Sequence, residues 1–218
     1  MFVTQLLTLI KKDFLLEWRQ KHTLFGVMLY VGCTVFVLYM MAGQPESRIW
    51  NALFWIAQLF VTVNTVAKSF LQEGEARTRY YFTIAAPVQY IIAKMVYSLA
   101  MMLVMMFISL VLFNVMLGSP LIRPAMYVGV CCLGASSLSL LFTFLSAIAA
   151  QARQNAALMA ILGFPIAIPL LMILSNLALG AVSNVLQEGW WGMALMMLGM
   201  DVLIIALSVI LFPFLWKE

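Results

Sequence analysis

Residues 95–122 read M-V-Y-S-L-A-M-M-L-V-M-M-F-I-S-L-V-L-F-N-V-M-L-G-S-P-L-I, with no Asp, Glu, Lys or Arg. The run is longer than the roughly 20 residues an α-helix needs to cross a bilayer, and it is apolar on every face, unlike the one-sided helix of a soluble core. Working outward, further uncharged runs lie at 22–45, 49–67, 124–152 and 154–187, each able to hold one span. A sixth, 190–216, is interrupted only by Asp201 and carries Trp190, Trp191 and Trp216 near its ends, where indole rings settle at membrane interfaces. With 65% of 218 residues apolar and 9% charged, a water-soluble fold is excluded, and at roughly 20 residues per span at most about seven helices fit. The reading is an all-α integral membrane protein of six transmembrane helices, at about 23–43, 49–67, 92–117, 125–150, 156–180 and 191–214. One transmembrane domain then accounts for residues 1–218.

The same arithmetic removes whole classes of function. A nucleotide-hydrolysing or extramembrane binding domain needs on the order of 100 polar-rich residues, and no such stretch exists. No G-x-x-x-x-G-K-[ST] occurs, so no P-loop cradles phosphates, and no catalytic residue is expected. The net charge of +4 points to loop orientation in so apolar a chain, and nucleic acid is excluded as a partner. One histidine, His22, no H-E-x-x-H and no Cys/His cluster leave no metal site, and no bis-histidine haem site, to expect. Cys33, Cys131 and Cys132 sit in apolar runs as small hydrophobes, without a disulfide framework. The methionines at 101, 102, 105, 106, 193, 196, 197 and 200 have helical spacing, which packing explains better than soft-metal ligation. At the N-terminus the apolar residues precede Lys11 and Lys12, the reverse of a signal peptide's order, so these residues are expected to stay.

Orientation follows from Lys and Arg, which short cytoplasmic loops retain. With the N-terminus inside, Lys11, Lys12, Arg19, Lys21, Lys68, Arg77, Arg79, Lys94, Arg153 and Lys217 are cytoplasmic, against Arg48 and Arg123 outside. Ten against two places both termini in the cytoplasm. Before the first span, Val3, Leu6, Leu7, Ile10, Phe14 and Trp18 recur at helical spacing, which predicts an interfacial amphipathic helix over 1–21 that turns into the membrane near 21–23.

One polar segment stands out, K-S-F-L-Q-E-G-E-A-R-T-R-Y-Y-F-T-I-A-A-P-V-Q-Y-I-I-A-K over 68–94. Glu73, Glu75, Arg77 and Arg79 lead into Tyr80, Tyr81 and Phe82, an amphipathic stretch whose aromatic face needs lipid headgroups or another protein to cover it, and Pro87 breaks it before the third span. Inside the membrane, Asp201 is the one carboxylate, costing roughly 2.5–3.5 kcal/mol at a helix centre unless partnered. It marks either a gating or assembly hydrogen bond or a snorkelling position near the outer interface. Gly163 precedes Pro165 and Pro169, four residues apart on one face, which predicts a kink that either hinges or is filled statically. Asn64, Asn114 and the serines 136, 137 and 139 are candidates for hydrogen bonds between helices.

This layout resembles the membrane subunit of an ABC-2 type exporter. More narrowly, F-x-x-E-G at 70–74 (Phe70, Glu73, Gly74), A-x-P-V-x-x-x-x-A-K at 85–94 (ending in Pro87 and Lys94 as its fixed points) and G-F-P-I-A-I-P-L-L at 163–171 are similar to the CcmB family. That family is the permease-like subunit of the cytochrome c maturation system, in the bacterial inner membrane. The 68–94 segment departs from many members in being shorter and in carrying R-T-R-Y-Y after Glu75. The resemblance implies an ABC ATPase on a separate chain, a haem-handling membrane subunit, a small single-span subunit and a haem chaperone as partners, with two copies of this chain per complex. It implies haem as cargo of the complex, no cofactor bound by this chain, and 68–94 as the ATPase-coupling loop. Rivals are an ABC-2 permease for another cargo, a secondary transporter working without ATP, and an assembly scaffold.

Overall fold

The computed structural model describes residues 2–19, 21–71, 87–151, 156–183 and 188–215, and these form seven α-helices with no strand among them. They are α1 (Phe2–Arg19), α2 (Lys21–Ala42), α3 (Ser47–Leu71), α4 (Pro87–Leu117), α5 (Pro124–Gln151), α6 (Ala156–Val182) and α7 (Trp190–Leu215). The last six are long and apolar enough to cross a membrane, so the protein is a multi-pass membrane protein. Helices are the form such segments must take, because hydrocarbon offers no partner for a free backbone N–H or C=O. Tight connections follow from glycine where the chain turns: Gly43, Gly118 and Gly189 all have positive φ, the region open to a residue without Cβ.

α5 is the centre of the bundle, packed against α3, α4, α6 and α7. Its span is also the most enclosed of the six, whereas α2 and α7 are largely open to the surroundings. Ring contacts fix the up-and-down order. Trp50 at the start of α3 meets Phe113 near the end of α4 and Tyr127 at the start of α5, while Tyr90 at the start of α4 stacks on Phe212 near the end of α7.

The start of α4 explains where α1 lies. At 1.5 Å per residue its 31 residues span about 46 Å, more than the roughly 30 Å hydrocarbon core. The helix begins at Pro87, ahead of the expected 92, because proline suits a first helical turn whose N–H would be unpaired anyway. The surplus length gives α4 extra turns beyond the hydrocarbon, and α1 packs on α4. Leu7, Phe14 and Leu15 of α1 face the surroundings, whereas Asp13 is buried. The inward side of this amphipathic helix thus carries an acid, a feature that apolar periodicity does not announce.

Most small polar side chains inside the spans bond their own helix. Asn64 donates to Phe60 O, Asn114 to Leu110 O, Thr65 to Val61 O and Ser208 to Ile204 O. Of the candidates for bonds between helices, Asn64 and Asn114 thus donate within their own: in an apolar medium the carbonyl one turn back is the nearest acceptor and needs no second helix. The methionines of α4 are core residues, with Met102, Met105 and Met106 fully buried and Thr62 donating to Met102 Sδ at 3.4 Å.

Candidate coupling region and membrane interior

The polar segment of 68–94 enters from the last turns of α3, which hold the backbone of Lys68 and Phe70, and leaves into α4 at Pro87. Glu73, Gly74, Glu75, Arg77, Arg79, Tyr80, Tyr81 and Phe82 lie outside the described residues. Lys94, two turns into α4, faces inward. Its side chain is only 4% exposed, and Nζ lies 3.6 Å from Asp13 Oδ2 and about 6 Å from the ring centres of both Tyr90 and Tyr97. Lys12 also pairs with Asp13, at 3.1 Å, and Phe14 meets Tyr97 edge to face. The surface open to a partner at this end therefore excludes the Lys94 ammonium, which is committed to α1.

In the membrane interior, Asp201 sits at mid-length of α7, buried, and the Ser136 hydroxyl of α5 donates to its Oδ2 at 2.9 Å. That hydroxyl also lies 2.7 Å from Leu133 O, and Asp201 Oδ1 has no hydrogen-bond partner. The bond ties the two helices at a depth where a lone carboxyl is expensive. Its two ends are unequal. Ser136→Ala removes the donor at 2.9 Å and leaves the acid only the neighbouring Ser137 hydroxyl, at an expected cost of about 1–2 kcal/mol. Asp201→Leu costs less or nothing, since Ser136 keeps the Leu133 carbonyl and the acid is replaced by apolar bulk. Unfolding of the two variants in detergent, side by side, checks this order, and the reverse order would show that the acid is partnered otherwise.

α6 runs through Pro165 and Pro169 as one continuous helix. Both prolines are on its exposed side, while Ala167, Leu170 and Leu174 form the buried stripe. Neither proline can donate, so the carbonyls of Ile161 and Pro165, four residues before each, lose their helical partner on that same side. Gly163 faces α5: a Cβ there would lie 2.6 Å from Phe142 Cε1 and 3.3 Å from Leu145 Cδ1. The structure thus separates the three: glycine at the helix contact, prolines away from it.

A polar junction that the sequence reading did not single out lies at the opposite end from α1. Asn51 of α3 is fully buried, its Nδ2 donates to Ser175 O at 2.9 Å and Ser175 Oγ at 3.1 Å, and its Oδ1 accepts from Trp55 Nε1 and Tyr127 OH. Both donors and both lone pairs of the amide are used, so one side chain joins α3, α5 and α6. Around it Trp50, Phe54, Trp55, Phe113 and Tyr127 form a closed aromatic cluster with ring centres 5.2–5.7 Å apart. A denser-than-usual set of aromatics at 50, 54 and 55 was the available signal. At this same end, Trp190 Nε1 donates to Leu177 O and fastens the α6–α7 turn.

Among the described residues no group of His, Cys, Asp and Glu is placed to hold a metal ion. Six apolar helices long enough to cross a bilayer, with polar ties between helices inside, define a multi-pass membrane protein. A model of the CcmB protein family matches residues 4–215. The chain belongs to the CcmB family, and that membership implies the membrane component of haem export in cytochrome c maturation. The comparison with curated proteins finds no match.

Proposed function

We propose that the chain is the membrane subunit of an ATP-driven complex of cytochrome c maturation, with hydrolysis on a separate ABC ATPase and haem, or the haem-loaded chaperone, as what the complex moves or releases. The family match over nearly the whole chain carries this reading. The sequence supports it by holding no P-loop and no stretch long enough for an ATPase domain. Ten of twelve Lys and Arg fall on one side of the six spans, which supports both termini in the cytoplasm of a bacterial inner membrane.

On this reading the ATPase engages 68–94 from the cytoplasm, with Glu73, Glu75, Arg77 and Arg79 at the rim and Tyr80, Tyr81 and Phe82 as the central anchors, the residue types that dominate such contacts. Closure of an ATPase pair displaces the start of α4, and two copies of this chain, one per ATPase, respond together. The helix α6 supplies flex points at Pro165 and Pro169, where two backbone hydrogen bonds are absent. The remaining partners are a haem-handling membrane subunit, a small single-span subunit and the chaperone. Asp201 as the sole acid in a span argues against a secondary transporter, which works with several such groups.

The test is purification of the tagged chain in mild detergent. An ABC ATPase and haem-handling membrane proteins are expected with it, and the absence of any ATPase moves the reading to a scaffold or a secondary transporter. In the same preparation Tyr80→Ala with Tyr81→Ala is expected to weaken ATPase retention by at least about 2 kcal/mol, the loss typical of aromatic anchors. Unchanged retention and turnover would remove these two residues from the contact.

A further inference from the structure

The Asp13–Lys94 pair has no explanation in stability alone. Both side chains are about 95% buried, and an ion pair so enclosed gives up roughly as much hydration as it regains in attraction, so apolar side chains would hold α1 as well. What the pair adds is specificity: a carboxylate facing an ammonium between two tyrosine rings favours one register of α1 on α4, because a slipped register separates the two buried charges and leaves Asp13 only Lys12, on its own helix. Its position is equally particular. Lys94 lies seven residues beyond Pro87, about 10 Å along α4 from the point where the 72–86 segment rejoins the bundle. Tyr90, one turn before it, stacks on Phe212 of α7, and Tyr97, on the next turn, meets Phe14 of α1.

We propose that Asp13 and Lys94 are positioning residues for energy coupling: they lock α1 to the entry of α4, so that displacement of the 72–86 segment moves α1, α4 and the end of α7 as one body. This rests on the reading of 68–94 as the ATPase contact. The outer side of α1 fits a lever lying in the membrane surface, because Leu7, Phe14 and Leu15 are exposed there together with Lys11 and Arg19. Without the lock, α1 shifts on α4 and the push is dissipated before it reaches the spans.

The experiment uses the purified complex and reads two quantities, ATP turnover and haem-loaded chaperone released per ATP. Asp13→Asn keeps the side-chain shape and is expected to leave the ATPase bound and turning over, while release per ATP falls at least about tenfold because a neutral amide no longer holds the Lys94 ammonium in register. Asp13→Lys with Lys94→Asp is expected to release more per ATP than either single change. Where single variants fail to accumulate, Asp13→Leu with Lys94→Met removes both buried charges and leaves only the more exposed Lys12, and the same loss of release per ATP is expected. Wild-type release per ATP in Asp13→Asn or in the apolar pair, or a swap no better than the singles, overturns the lock alone. A wild-type chain that retains no ATPase overturns the functional reading and the lock with it.

Discussion

Gly134→Ala lowers the unfolding free energy of the detergent-solubilised protein by about 1–3 kcal/mol, the range for adding a methyl group to a packed interior that has no room for it. A Cβ at Gly134 would lie 2.5 Å from both Cη2 and Cζ3 of Trp55 and 3.1 Å from Leu174 Cδ2. Those Trp55 atoms belong to a stiff ring that is 1% exposed, and the indole cannot swing aside without breaking its bond to Asn51 Oδ1. α5 or α3 must therefore move, and α5 is the helix on which four others rest. Gly129→Ala is the matched control on the same helix: a Cβ there meets nothing within 4 Å, so the change is expected to be neutral or stabilising by up to about 1 kcal/mol through helix propensity. Denaturant titration of both variants checks the pair. Equal stability of the two alanines would mean that α3 and α5 do not approach as closely as this glycine requires.

How far the sequence reaches is visible in these same residues. The six spans were legible because each is a long uncharged run and hydrocarbon admits only the helix for it. α1 was legible from its 3.6-residue period, yet the same pattern set Asp13 among the polar positions while the bundle buries it, because period says nothing of a lysine 81 positions away that needs a carboxylate. Asn51 is a sharper case. It opens a span beside Arg48 and Trp50, where a polar residue is unremarkable, and its partners Tyr127 and Ser175 lie 76 and 124 positions on. Asn64 and Asn114 were equally prominent as polar residues in apolar runs and turn out to serve only their own helices. Composition marks a polar atom that must be satisfied, but the choice between the carbonyl one turn back and a group on another helix is made by packing. Asp201 is intermediate: its cost demanded some partner, and the serines at 136, 137 and 139 were visible, but that Ser136 is the donor followed only from how α5 and α7 face each other.

Asn51→Leu is expected to be strongly destabilising although it leaves the apolar volume of the bundle intact. It removes the acceptor shared by Trp55 Nε1 and Tyr127 OH and the donors that reach Ser175, all within a cluster closed to water. Buried groups in soluble proteins cost about 1–3 kcal/mol each when left unpaired. Polar ties between membrane helices average about 0.6 kcal/mol, since freed groups find other partners there. Four lost bonds thus predict a loss of about 2 kcal/mol on the membrane scale and more if the freed groups find no other partner. The aromatic packing limits such rescue: Phe54 meets both Trp55 and Tyr127 edge to face and Trp50 meets Tyr127 the same way, so the indole of Trp55 and the phenol of Tyr127 can tilt but find no new acceptor within the cluster. Tyr127→Phe is the contrasting variant, because it deletes a donor together with its need while Asn51 Oδ1 still accepts from Trp55, and it should cost well under about 1 kcal/mol. The junction also couples to the first prediction. With Asn51 gone the Trp55 ring is released to tilt away from α5, so Gly134→Ala should cost less in the Asn51→Leu background than alone, a non-additivity that a double-mutant cycle measures directly. Strict additivity of the two changes would show that the Trp55–Asn51 bond does not hold the indole in place.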